Sequence, residues 1–135
     1  MKMADALLIA AAVAARAKAY APYSRFLVGA AVKDETGAVH AGCNVENAAY
    51  PQGTCAEAGA IAAMVLAGGR KIREAAVVGA GDGLVTPCGG CRQKLREFAS
   101  ADLAIHVCDE IGRIKKSFTL GELLPASFGP ENLSS

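Results

Sequence analysis

Cys55-Ala-Glu57 and Pro87-Cys88-Gly-Gly-Cys91 place three thiols and one carboxylate in two short segments far apart in the chain. A fold that uses both must bring them to one point. Cys88 and Cys91 put two sulfurs on a single turn, and the glycines between them let the backbone bend tightly. Both segments read as helix starts, where amide N–H groups stabilise thiolates. Two helix N-termini can thus converge on one ion. Three thiolate ligands leave the fourth tetrahedral position of a zinc ion to water, which separates a reactive site from a closed structural one.

Cys-x-x-Cys alone is a weak signal, since redox dithiols share it. Cys55, Glu57 and Pro87 make the zinc reading specific. A closed site would need a fourth ligand, with His106 and Cys108 the candidates, and would leave Glu57 without a task. Glu57 also has a plainer account, because Thr54-Cys-Ala-Glu57 fits a capping box. Taken alone, capping explains it better; beside two matched zinc segments, proton transfer does.

At 135 residues the chain is expected to form one domain, residues 1–135, with a single substantial core. Its residues are 53% hydrophobic and 20% charged, which argues against disorder. A net charge of +1 supplies no broad basic field, so a small substrate fits better than long nucleic acid. The cysteine count of five is odd and does not suggest a disulfide framework. Free thiols point to a reducing, cytoplasmic setting. Cys43 and Cys108 follow apolar strand-like runs and read as small buried hydrophobes.

The alanine-rich segment from Ala6 to Ala15 has the outline of a signal peptide, but Asp5 interrupts its start, and it reads instead as a helix stopped near Pro22. No run is long and apolar enough to suggest a membrane span.

Phe26–Val32 and Ala38–Cys43 flank Asp34-Glu-Thr-Gly37 and read as an antiparallel hairpin. Asn44 to Gly53 is a polar loop. A helix is expected from Thr54 to about Ala67, closed by Gly68-Gly69. Glu74–Ala80 reads as a covered central strand, followed by a helix opening at Thr86-Pro87. Leu103, Ile105 and Val107 alternate along a strand, and Arg113–Phe118 reads as a last one before the capping box Thr119-Leu-Gly-Glu122. Together these predict an α/β fold: a three-layer α/β/α sandwich with a mixed sheet of about five strands. Both thiol segments then fall at strand-to-helix junctions, which line the ligand crevice of open α/β sheets.

Asn44-Val-Glu46-Asn-Ala-Ala-Tyr50, Cys55-Ala-Glu57 and Pro87-Cys88-Gly-Gly-Cys91-Arg-Gln93 closely resemble the small homotetrameric cytidine deaminases of pyrimidine salvage. The resemblance extends to Tyr23-Ser-Arg-Phe26-Leu-Val-Gly29 and to Glu122-Leu-Leu-Pro125-Ala-Ser-Phe128, in the expected order. It implies one zinc ion per subunit on Cys55, Cys88 and Cys91, and proton transfer by Glu57. It further implies ribose contacts from Asn44 and Glu46, and packing of Phe26 against the nucleoside. Tyr50 and Phe128 resemble aromatics at subunit boundaries, Phe128 reaching a neighbour's base, while Ala56 offers its backbone to the base or the water. The implied reaction is hydrolysis of cytidine or deoxycytidine to uridine or deoxyuridine and ammonia, by a cytoplasmic homotetramer. Without the resemblance, Asn44 and Glu46 read equally well as loop caps, and Phe26 as core.

One position departs from the pattern. Many such proteins carry a polar or cationic residue after Cys-Ala-Glu, whereas Ala58 stands here. Three thiolates on one zinc ion leave a net negative charge. Helix N-termini and Arg92 are then expected to balance it, with Arg92 and Gln93 supporting the site from behind.

Overall fold

A computed structural model describes residues 3–133. Four α-helices and five strands follow in the order α1 (Ala6–Arg16), β1 (Val28–Asp34), β2 (Val39–Cys43), α2 (Ala56–Leu66), β3 (Ile72–Gly79), α3 (Gly89–Phe98), β4 (Ala104–Cys108), β5 (Ile114–Thr119) and α4 (Leu120–Leu123). The strands form one mixed sheet in the order β2-β1-β3-β4-β5. Only β3 and β4 pair in parallel, joined through α3; the other neighbours are antiparallel. This is the expected α/β architecture.

Period-two alternation sends successive strand residues to opposite faces. On one face Val32, Ala75 and Ile105 pack with Ala60, Ile61 and Met64 of α2 and Leu95 of α3. On the other, Ala31, Ala76, Val78 and Cys108 pack against Leu8 and Ala12 of α1. The alanine-rich first segment is therefore a core helix. Asp5, which breaks its apolar run, caps it: Oδ1 accepts the N–H of Leu7 at 2.8 Å and of Leu8 at 3.4 Å.

Two strand glycines decide how closely the layers approach. A Cβ at Gly29 would lie 2.1 Å from the Ala12 carbonyl oxygen, and one at Gly42 would lie 2.4 Å from the Ala60 nitrogen. Gly29 thus admits α1, and Gly42 seats α2 directly on β2.

Several boundaries differ from the sequence reading. The helix expected from Thr54 starts at Ala56, with Cys55 as an N-cap lacking a side-chain hydrogen bond, so no Thr54–Glu57 capping box forms. The helix expected at Thr86-Pro87 starts at Gly89, with Cys88 as its N-cap. Phe26 and Leu27 precede β1, and α1 ends at Arg16, well before Pro22. The Thr119–Glu122 capping box does form, and it opens α4.

Candidate metal centre and active site

Cys55 and Cys88 are both N-cap residues, so each sulfur sits at a helix N-terminus. Cys91 lies one turn into α3 and is buried. The three sulfurs lie within 4.8 Å of one another, with Cys55 Sγ and Cys88 Sγ 3.9 Å apart. Zn–S bonds of about 2.3 Å at tetrahedral angles set sulfurs roughly 3.8 Å apart, a spacing that the Cys55–Cys88 pair already has. All five cysteines are free thiols. Soft thiolates at this spacing are a zinc donor set.

The closed-site alternative fails on geometry. His106 is bonded through Nε2 to Glu74 at 2.7 Å and through Nδ1 to Ser117 at 2.7 Å. Cys108 is buried in the α1-side core. Among the described residues, only Cys55, Cys88 and Cys91 form a candidate metal group. Cys108 is thus the expected small core residue, whereas Cys43 is only half-buried.

Glu57 occupies the first turn of α2 and is 5% exposed. Burial pushes its carboxyl above the ordinary glutamate value, while a hydrogen bond from Cys91 works the other way. Burial likewise pushes the Cys91 thiol up, and the Cys91 N–H draws the Cys88 thiol down. A carboxyl with a raised pKa beside the sulfurs holds a proton more readily than a free glutamate does.

The loop before α2 is zipped on both sides. Val45 and Thr54 exchange backbone hydrogen bonds of 2.9 and 2.8 Å, while the Glu46 N–H donates to the Tyr20 carbonyl at 2.8 Å. Its polar side chains are engaged as well. Asn44 Oδ1 accepts the Val28 N–H at 2.8 Å, and Nδ2 donates to the Phe26 carbonyl at 2.9 Å. Glu46 Oε1 accepts the N–H groups of Tyr23 at 2.9 Å and Ser24 at 3.1 Å, and Oε2 accepts the Ser24 hydroxyl. The loop-capping account is therefore realised for both residues. Each keeps spare capacity: a second amide hydrogen on Asn44 and further lone pairs on Glu46.

Glu46 organises a strained turn, since Arg25 adopts φ 61° in the left-handed region. Phe26 follows it and is half-exposed, not part of the core. A cleft of about 340 Å³ opens here, lined by Tyr23, Ser24, Glu46, Asn47, Tyr50 and Gly53. Tyr50 meets Tyr23 edge-on at 5.9 Å. Sequence reasoning assigned no role to Ser24 and Tyr23; their only signal was their place beside Phe26 in the matched segment.

Arg92 clamps the thiol turn. Its Nε donates to the Pro87 carbonyl at 2.7 Å, Nη2 to Thr86 Oγ1 at 3.2 Å and Nη1 to the Leu123 carbonyl at 2.8 Å. These acceptors are neutral, so its positive charge stays beside the turn. Ala56 is buried at the start of α2. Ala58 instead lines a groove between α2 and α3 that also contains Lys94. Phe128 stands exposed near the C-terminus and does not line the 340 Å³ cleft.

Comparison with known proteins bears on this constellation. The family model described as the cytidine and deoxycytidylate deaminase zinc-binding region matches residues 2–107. The cytidine deaminase of Sporosarcina psychrophila is 42% identical over 127 residues, covering 94% of this chain and 93% of its own length. A crystal structure of cytidine deaminase from Burkholderia pseudomallei superposes with a TM-score of 0.85 at 44% identity, covering 93% of this chain and all of that one. The enzyme from Mycobacterium tuberculosis gives 0.80 at 40% identity, covering 91% and 95%. With three thiols gathered at two helix starts and a match over most of its length, the chain belongs to the zinc-binding cytidine and deoxycytidylate deaminase family.

Proposed function

We propose that this chain hydrolyses cytidine and deoxycytidine to uridine and deoxyuridine, releasing ammonia, with zinc held by Cys55, Cys88 and Cys91. The observation that carries the reading is the buried Glu57 on the same helical turn as Cys55, beside three sulfurs at zinc spacing. When bound, zinc supplies Lewis acidity that brings the pKa of a water from about 16 towards about 7. Glu57 takes the proton of the attacking water and delivers it to N3 of the pyrimidine, which makes C4 more electrophilic. It then helps protonate the departing amine, so water is consumed and ammonia leaves. Ala56 offers backbone polar groups to the base.

Asn44 and Glu46 use their spare hydrogen-bonding capacity on the ribose hydroxyls, with Phe26 packing against the nucleoside. The nearby cleft supports a nucleoside over a nucleotide, because its lining holds a carboxylate and no lysine or arginine. Tyr20, Tyr23, Phe26, Tyr50 and Phe128 leave much aromatic surface open in one copy, which supports assembly. We read the chain as one catalytic domain acting as a homotetramer in the cytoplasm, in pyrimidine salvage, with Tyr50 and Phe128 at the boundaries between copies.

Zinc analysis of purified protein, combined with the ultraviolet absorbance change on cytidine turnover, tests the reaction. Stoichiometric zinc with turnover of cytidine but not its monophosphate is expected. Nucleoside binding without turnover would end the enzymatic reading. Light scattering during size exclusion tests the tetramer.

A further inference from the structure

Beyond the reacting groups, α3 does a second task. Successive side chains on its outer side grip the C-terminal segment that follows α4. Arg92 holds the Leu123 carbonyl, and Gln93 Nε2 donates to the Phe128 carbonyl at 2.9 Å. Arg96 Nε donates to Ser127 Oγ at 2.9 Å, and its Nη2 pairs with Glu131.

Gly129 makes this grip possible. A Cβ there would lie 2.4 Å from Arg96 Nη2, 2.5 Å from Cζ and 2.8 Å from Nη1. Three guanidinium atoms so close to one point mean that the planar group lies against the Gly129 backbone. The Arg96 side chain is only 20% exposed, whereas Phe128, between the two residues it holds, is 57% exposed. A large aromatic is thus kept on the surface by contacts to the backbone and side chains around it. Ordering that backbone in advance removes a cost that binding would otherwise bear.

We propose that Arg96, seated on Gly129 and bonded to Ser127 and Glu131, is a positioning residue that presents Phe128 to the nucleoside in a neighbouring copy. The inference rests on the reading of Phe128 as a substrate contact. It assigns Arg96 no contact with the reacting atoms. Through α3 the same helix carries Cys91 at one end and governs the aromatic arm from the other.

Two variants break the latch from opposite sides. Arg96→Met keeps most of the stem and removes the donors. Gly129→Ala leaves Arg96 intact; with φ at −150° any residue suits the backbone, so only the clash with the guanidinium acts. Each is expected to raise KM for cytidine about tenfold with kcat changed by less than about twofold. Zinc content should stay unchanged, and amide exchange across residues 124–131 should speed up.

Phe128→Ala should raise KM similarly with exchange unaltered. If Phe128→Ala raises KM and neither latch variant does, the role of Arg96 is overturned. If Phe128→Ala leaves KM unchanged, the proposal falls through its premise about Phe128, whatever the exchange data show. Zinc loss or a kcat collapse in both latch variants would make Arg96 merely structural and overturn it as well.

Discussion

Glutamine has nearly the shape of Glu57 but cannot carry a proton. Glu57→Gln should therefore retain zinc while kcat falls by at least about 10²- to 10⁴-fold, as steady-state kinetics with metal analysis would show. Turnover near the wild-type level would remove Glu57 from the mechanism. Asn44 makes a different case, because its side chain already bridges the Val28 N–H and the Phe26 carbonyl. Asn44→Ala loses two hydrogen bonds, each worth about 0.5–1.5 kcal/mol. It should lower the melting temperature and also raise KM. A lowered melting temperature with unchanged KM would leave loop holding as its whole task. Asn44 was legible as a polar loop residue, but not which atoms it would bind, because its partners lie at and just before the start of β1, in a separate stretch of chain.

At the scale of elements, the seat of α2 on β2 sets where Cys55 and Glu57 stand. Gly42→Ala drives a Cβ into the Ala60 nitrogen and the Ala56 carbonyl, and backbone cannot swing aside as a side-chain tip can. A loss of about 1–3 kcal/mol or more is expected in denaturant unfolding, together with weaker zinc binding. Gly83→Ala is the control, since a Cβ there meets nothing within 4 Å; its stability should be near that of the parent. The order of strands and helices was readable from periodicity and turn residues. Helix starts were not. Thr54 and Pro87 carry strong start signals, yet α2 begins at Ala56 and α3 at Gly89, so that Cys55 and Cys88 take the N-cap positions. Local start signals mark a helix only to within a residue or two and do not fix its N-cap.

For the whole molecule, metal and protons are linked to stability. Zinc that binds the folded state alone stabilises it by RT ln(1 + [Zn]/Kd), about 2.7 kcal/mol at a hundredfold excess over Kd. Chelation should lower the melting temperature and abolish turnover, with both restored by zinc. Acid stability depends on groups remote from that site. The hydrogen bond with His40 Nε2, helped by the Thr36 hydroxyl and amides of Thr36 and Ala38, holds the Asp34 carboxyl well below the usual carboxylate range. Burial pushes Glu74 up, but the Asp5 N–H, Lys33 and His106 together bring it below its ordinary value. For both, the folded pKa is depressed relative to the unfolded one. Their stabilisation is thus present above about pH 4–5 and is lost as pH falls below it. Thermal melts from pH 7 to 3 should show this loss, and Asp34→Asn should make the profile shallower.

The sequence by itself determined the groups on offer: which atoms are soft donors, which carboxylate lies beside them in the chain, and where strands alternate with helices. These follow from residue type and local periodicity, which need no partner. Tertiary structure alone decided that three sulfurs meet within 4.8 Å while His106 and Cys108 stay away. It also turned Arg96 and Gly129 into one contact. Such arrangements depend on how separate elements pack, and packing is set by backbone approaches at positions such as Gly42 that local patterns do not encode.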